Sequence, residues 1–220
     1  PQGRTAWMTE PYQGDEDYRG YGTMTDMEVL DALREAGKRK VQIIAHCNGD
    51  AAAEQFLNCL ETAEQEYPVL RTLRPVIIHG QFMRPDQMLK ARDLGAVVSF
   101  FTANTWYWGD VHVQNFGLER ASRISAAASA LACGLPFTFH QDAPVILPDM
   151  LETIWCAVNR RTKNGIILGA DQRISVWEAL KAVTVNAAYQ YFEEDQKGSI
   201  APGKRADFVI LSENPLEVPK

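Results

Sequence analysis

The sequence predicts an α/β fold built on a parallel sheet. Three observations lead there: short, almost wholly apolar runs recur along the chain, a segment of helical character follows most of them, and Gly, Pro or a capping residue marks the changes. Strands buried on both faces read as continuous apolar runs, and strand followed by helix is the rhythm of parallel β/α architecture. With 220 residues, 46% hydrophobic and 23% charged, the chain can bury one large globular core, with room for a small attachment.

The elements follow in order. Met27, Leu30, Leu33 and Ala36 recur at helical spacing, which predicts a helix over 24–37 stopped at Gly37. A strand is expected over 41–46, then a helix from an Asp50 N-cap to about Glu66, with Pro68 beyond its end. The run 75–79 is a second strand, and "RPDQMLKARDLG" a short helix with Pro85 in its first turn and Gly95 at its end. A third strand, 96–101, opens into a long aromatic loop, "TANTWYWGDVHVQNFG". An Ala-rich helix over 119–133 stops at Gly134 and a fourth strand covers 136–140. Two helices near 150–163 and 175–192 lead to "KGSIAPGKRADFVIL", whose alternation predicts two strands joined by a Pro-Gly turn.

Composition excludes several functions. A net charge of −6, with "KRK" at 38–40 as the longest basic run, argues against a nucleic-acid surface and for a small-molecule partner. Cys47, Cys59, Cys133 and Cys156 form no CxxC pair and sit in apolar or helical patterns, as expected of reduced thiols in a cytoplasmic protein. The first twenty residues hold no export signal, and no segment approaches the roughly 18 apolar residues of a membrane span.

Active sites of parallel β/α folds form where the C-terminal ends of the strands converge. His46, His79 and Asp142 all fall at such ends. Imidazole and carboxylate suit zinc, iron or manganese, and a metal there would polarise a carbonyl and acidify water, with Asp142 as ligand and general base. A histidine at a strand end is also commonly a hydrogen-bonded structural residue, and Asp142 has the alternative of a turn or capping role. His140 lies two residues before Asp142 and is expected to face the same way, as a substrate contact, a support or a packing residue. Trp106, Tyr107, Trp108 and His112 are candidates to line a substrate pocket, or simply to cover the top of the fold. Cys47 reads as core.

The segments "AHCNGDAAAEQF", "VIIHGQFMRPDQM", "HQDAPV" and "TVNAAYQYFEEDQKGSIAPGKRADFVILSENPL" resemble the amidohydrolase superfamily, in the branch that includes the N-substituted formamide deformylases. The resemblance covers nearly the whole chain. It implies a (β/α)8 TIM barrel whose HxH pair lies on the first strand, a bridging lysine or acid on the fourth, His on the fifth and sixth, and Asp on the eighth. On the matching motifs His46 corresponds to the fifth-strand ligand, His79 to the sixth and Asp142 to the eighth-strand residue. The resemblance also implies a divalent metal, zinc first, and hydrolysis of carbon–nitrogen bonds in amides or formamides. The chain carries no HxH, since its histidines are His46, His79, His112 and His140. The expectation is therefore a C-terminal half barrel over 1–192, a segment of a small β-sandwich over 193–220, and a missing N-terminal half as natural partner. Such a piece is expected to be inactive by itself and to self-associate through its open strand edges into a homo-oligomer. The alternative is a non-catalytic half-barrel binding or assembly module.

Overall fold

A computed structural model of the chain describes residues 1–218. Four parallel strands form one sheet: β1 (Ile44–Cys47), β2 (Val76–His79), β3 (Val97–Phe100) and β4 (Phe137–Phe139). Their order in space is their order in the chain, with Ile44 opposite Val76, Val76 opposite Val97, and Val98 opposite Phe137. A doubly wound sheet reverses its strand order at some point, whereas a barrel never does, so this sheet is an arc of a β/α barrel. Helix α1 (Asp26–Arg39) precedes it, α2 (Asp50–Glu66) and α3 (Pro85–Asp93) follow β1 and β2, and α4 (Asn104–Ala121) with α5 (Ala127–Cys133) joins β3 to β4. After β4 come α6 (Met150–Asn159), α7 (Val176–Val183) and α8 (Val185–Gln190).

Side chains alternate along each strand. Cys47, Ile77, Val98, Phe100, Phe137 and Phe139 share the main core with helix residues such as Leu57, Leu60, Met88 and Ala130. Val97, Ser99 and Thr138 alternate with these and belong to the other face of the sheet. All three are buried. The outer edge of β1 is open, and Ile44 there is 51% exposed.

Several expectations change in the folded chain. Helix α1 starts at a Thr25–Glu28 capping box, but Gly37 does not stop it; Lys40, in the left-handed conformation, does. A Cβ on Gly37 would lie 2.6 Å from the Tyr67 Cβ, so the glycine serves close packing. Asp50 is the first helical residue of α2, not its N-cap, which is Gly49. Its carboxylate accepts from the Thr9 N–H at 2.9 Å and pairs with Arg84, fastening the N-terminal segment to the starts of α2 and α3.

The expected aromatic loop is helical. Thr105, Gly109, His112 and Phe116 are buried at spacings of a single helix face, and Gly109 lets Thr162 approach to where a Cβ would meet it at 2.6 Å. The stripe escapes a hydrophobicity reading because Thr, Gly and His carry most of it. The helix expected over 119–133 is broken between α4 and α5, where the carbonyls of Ser122, Ile124 and Ser125 accept from the buried guanidinium of Arg160 instead of from the next helical turn. A second break, at Thr184, separates α7 from α8.

The strand pair expected in the tail is not formed among the described residues. Ile200, Val209 and Ile210 are between 85% and 96% exposed, with no neighbouring strand to pair their backbone. No helix among the described residues is long and apolar enough to cross a membrane.

Candidate metal centre

The β2 strand ends by turning sharply: His79 has φ +72° and Gly80 φ +50°, both left-handed. Asp142, three residues after β4, is left-handed as well, at φ +56°. A side-chain-bearing residue enters this region at a cost on the order of 1 kcal/mol, tolerated where the surroundings hold it. Here Gly80 N–H donates to the Cys47 carbonyl and Val145 N–H to the Asp142 carbonyl, pinning both turns.

These turns bring three groups together. His140 Nε2 lies 3.3 Å from His79 Nδ1, and His79 Nε2 lies 4.0 Å from an Asp142 carboxylate oxygen. One ligand atom from each of His79, His140 and Asp142 falls within 4.8 Å of the others. His46 stands beside them, its ring centroid 4.6 Å from that of His79 and nearly perpendicular, but it lies outside this tight group. It is exposed on the β1 edge, where its Nε2 contacts the Asn48 amide at 3.2 Å. The fourth-strand side thus contributes two groups, with His140 drawn among the potential ligands.

Burial controls the protonation of the pair. Desolvation, then the neighbouring His140 and His46, pushes His79 down to about 3. Desolvation also lowers His140 to about 4, although Asp142 and the Ser99 backbone act in the opposite sense. Both rings are neutral at pH 7, the form that offers a lone pair to a cation. Two neutral imidazoles and a carboxylate are a fitting donor set for zinc or another divalent first-row metal.

The aromatic candidates divide. Phe101 stacks on His140 at 5.6 Å between centroids, and Trp108 packs against Phe101 at 6.0 Å. Trp106 meets Trp155 edge to face at 5.4 Å, and the Tyr107 hydroxyl donates to Glu152 at 3.0 Å. These side chains are half-buried and continue outward from the histidines through Phe101. His112, expected as a substrate contact, is fully buried within α4 instead. Its Nε2 lies 3.1 Å from the Gln81 amide nitrogen and 2.8 Å from the Asn104 carbonyl oxygen, while the Asn104 amide donates to Gln81 at 2.6 Å. It is shut off from solvent and braces the loop that follows His79. Cys47 is buried in the core.

Sequence reasoning passed over Ser99 and Phe101. Alternation along β3, extended by one residue, would have put both on the face that carries His140.

The sequence profile described as the amidohydrolase family matches residues 1–220. The chain belongs to the amidohydrolase family. This amidohydrolase chain is 28% identical over 222 residues to YtcJ of Bacillus subtilis (strain 168), covering 98% of itself and 41% of YtcJ. It is 25% identical over 207 residues to the N-substituted formamide deformylase of Arthrobacter pascens, covering 94% of itself and 38% of that protein. In three dimensions it superposes on an uncharacterized metal-dependent hydrolase from Pyrococcus horikoshii OT3 with a TM-score of 0.85 and 26% identity, over 99% of this chain and 44% of that one. The amidohydrolase chain therefore spans less than half the length of each of these proteins.

Proposed function

We propose that His79, His140 and Asp142, with His46 at their margin, hold a divalent metal, zinc first, in a hydrolase of non-peptide carbon–nitrogen bonds in small amides or formamides. The observation that carries the reading is the convergence of a buried and a half-buried imidazole, both neutral, and a left-handed aspartate at the C-terminal ends of a parallel sheet. The bound metal would supply Lewis-acid polarisation of the amide carbonyl and acidify water. Asp142, 38% exposed at its side chain, is placed to take a proton from the attacking water and return it to the departing amine. Trp106, Tyr107 and Trp108 form the wall a small substrate would rest against. The relatives' names support the bond type, and the four free cysteines are in keeping with a cytoplasmic setting.

The chain by itself is proposed to be inactive. His79, His140 and Asp142 supply three ligand atoms, the β1 edge beside His46 is open, and the longer relatives contain as much sequence again from which to complete the site and the barrel. The same edge is the proposed seat of self-association.

The test is an amide and formamide hydrolysis assay with zinc or manganese, on the chain alone, on the chain mixed with a polypeptide covering the remainder of a full-length parent, and on that mixture carrying Asp142→Asn. Turnover by the mixture alone, abolished by Asp142→Asn, is expected. Metal-dependent turnover by the single chain that survives Asp142→Asn would overturn both the half-site reading and the role of Asp142.

A further inference from the structure

We propose that Gln141 is a positioning residue for Asp142: its buried side-chain amide closes the neck of the loop 142–148 and so fixes where the Asp142 carboxylate stands beside His79. The proposal rests on the metal-site reading for its purpose, though not for its geometry.

Asp142 needs support from outside its own side chain. Among the described residues no hydrogen bond reaches its carboxylate, and His79 Nε2 stands 4.0 Å away. Its place is therefore set by its backbone, which is left-handed at φ +56°. A residue with a side chain keeps that conformation only where its neighbours over-determine it. The bond from the Val145 N–H to the Asp142 carbonyl closes the turn locally, at 2.8 Å, and the turn must still be held against the rest of the fold.

Gln141 supplies that hold. It stands between His140 and Asp142 in the chain and is 3% exposed. Its Oε1 accepts from the Asp149 N–H at 2.6 Å, while its Nε2 donates to the Asp149 carbonyl and, at 2.6 Å, to the Thr153 hydroxyl. A backbone N–H can only donate and a backbone carbonyl only accept, so the amide has one orientation and each bond one direction. The side chain thus pairs with Asp149 as a strand neighbour would and joins the two ends of the loop. Asp149 is the N-cap of α6, and the carbonyl of buried Thr153 accepts from the Thr102 hydroxyl at 2.9 Å, just beyond β3. Midway round, buried Ile146 packs with Phe101, Ala103 and Cys156. The loop is tied at its neck and at its middle, although Val145 and Leu147 on either side of Ile146 are 50% and 87% exposed. Glutamate at position 141 would lose the donor, and asparagine the reach.

Hydrogen exchange read by NMR on the metal-free 220-residue chain tests the clamp. Gln141→Met keeps the length of the side chain and removes both ends of the amide. It should speed exchange of the Val145 and Asp149 amides by about tenfold or more, while the sheet amide of Val98 keeps its rate. Co2+ titration followed by absorption tests the purpose: Gln141→Met should weaken binding by about tenfold in the wild-type background and leave it unchanged in Asp142→Asn, because a residue that acts through another has no effect once that other is gone. Thr153→Val removes one of the three bonds and should move both readouts in the same direction by less, which keeps the comparison open should the methionine variant fail to fold. Unchanged Val145 exchange in the variants, or equal weakening of Co2+ binding with and without Asp142, overturns the proposal. Absence of Co2+ uptake by the wild type would count against the metal reading alone, since the exchange rates still decide whether Gln141 holds Asp142.

Discussion

The imidazoles of His79 and His140 face each other from the ends of β2 and β4, across the intervening β3, with Nδ1 and Nε2 separated by 3.3 Å. Two positive rings could not share that space, and burial keeps both neutral. Residual metal affinity of the chain should therefore depend on this pair. His79→Ala and His140→Ala are each expected to weaken zinc or cobalt binding at least tenfold, and exposed His46→Ala to weaken it less, by calorimetric titration of chelator-free protein. Tight stoichiometric zinc that survives His79→Ala would place the metal elsewhere.

Acid should unfold the protein through its buried histidines. His79 and His112 sit at about 3 and His140 at about 4, all below the ordinary 6.5. Between those values the unfolded chain binds more protons than the folded one, so stability rises with pH. This contribution is complete above pH 6.5 and is lost as pH falls through the window toward 4 and 3. Urea midpoints measured from pH 7 to 4 should fall, and His112→Gln should flatten the slope. An unchanged slope in that variant would mean that His112 does not titrate on unfolding.

Arg160 is 1% exposed and donates to the carbonyls of Leu168, Ser125, Ser122 and Ile124 at 2.6–3.1 Å. Burial pushes it down to about 10, still cationic at neutral pH. Arg160→Met leaves four carbonyls short of a donor, and a loss of about 3 kcal/mol or more is expected in equilibrium urea unfolding. A loss under about 1 kcal/mol would show that water or a shifted backbone replaces the guanidinium.

Trp108 packs against Phe101, which stacks on His140. In the chain complemented to a complete barrel, Trp108→Ala is expected to change the ranking of amide substrates by kcat/KM several-fold while shifting the melting temperature little. Equal loss toward all substrates with a lowered melting temperature would mark Trp108 as packing.

Self-association through β1 is open to a single measurement. Ile44→Lys puts a charge on the exposed edge, where lysine is a common block to strand pairing. Sedimentation should show a concentration-dependent dimer for the wild type and a monomer for the variant. A compact wild-type monomer at micromolar concentration would exclude the edge as an interface.

The amino-acid sequence by itself determined the order and kind of the four strands, because each is a short apolar run closed by a turn residue, a signal contained within a few positions. It also determined the presence of a helix over most of 24–37 and of His46, His79 and Asp142 at strand ends, since these too are local. Only the tertiary structure decided that residues 104–116 are helical, up to a kink at Gly117, because the buried stripe of Thr105, Gly109 and His112 is apolar by contact and not by composition. It decided that the backbone breaks at 122–126, where a guanidinium more than thirty residues away takes the carbonyls, and that residues 197–211 form no strand without a neighbour to pair with. The centre itself follows the same division. Which residues reach the strand ends is written in the chain, whereas the company they keep depends on left-handed turns at His79 and Asp142 and on a register that sets Ser99 beside His140, relations between distant segments that no local pattern encodes.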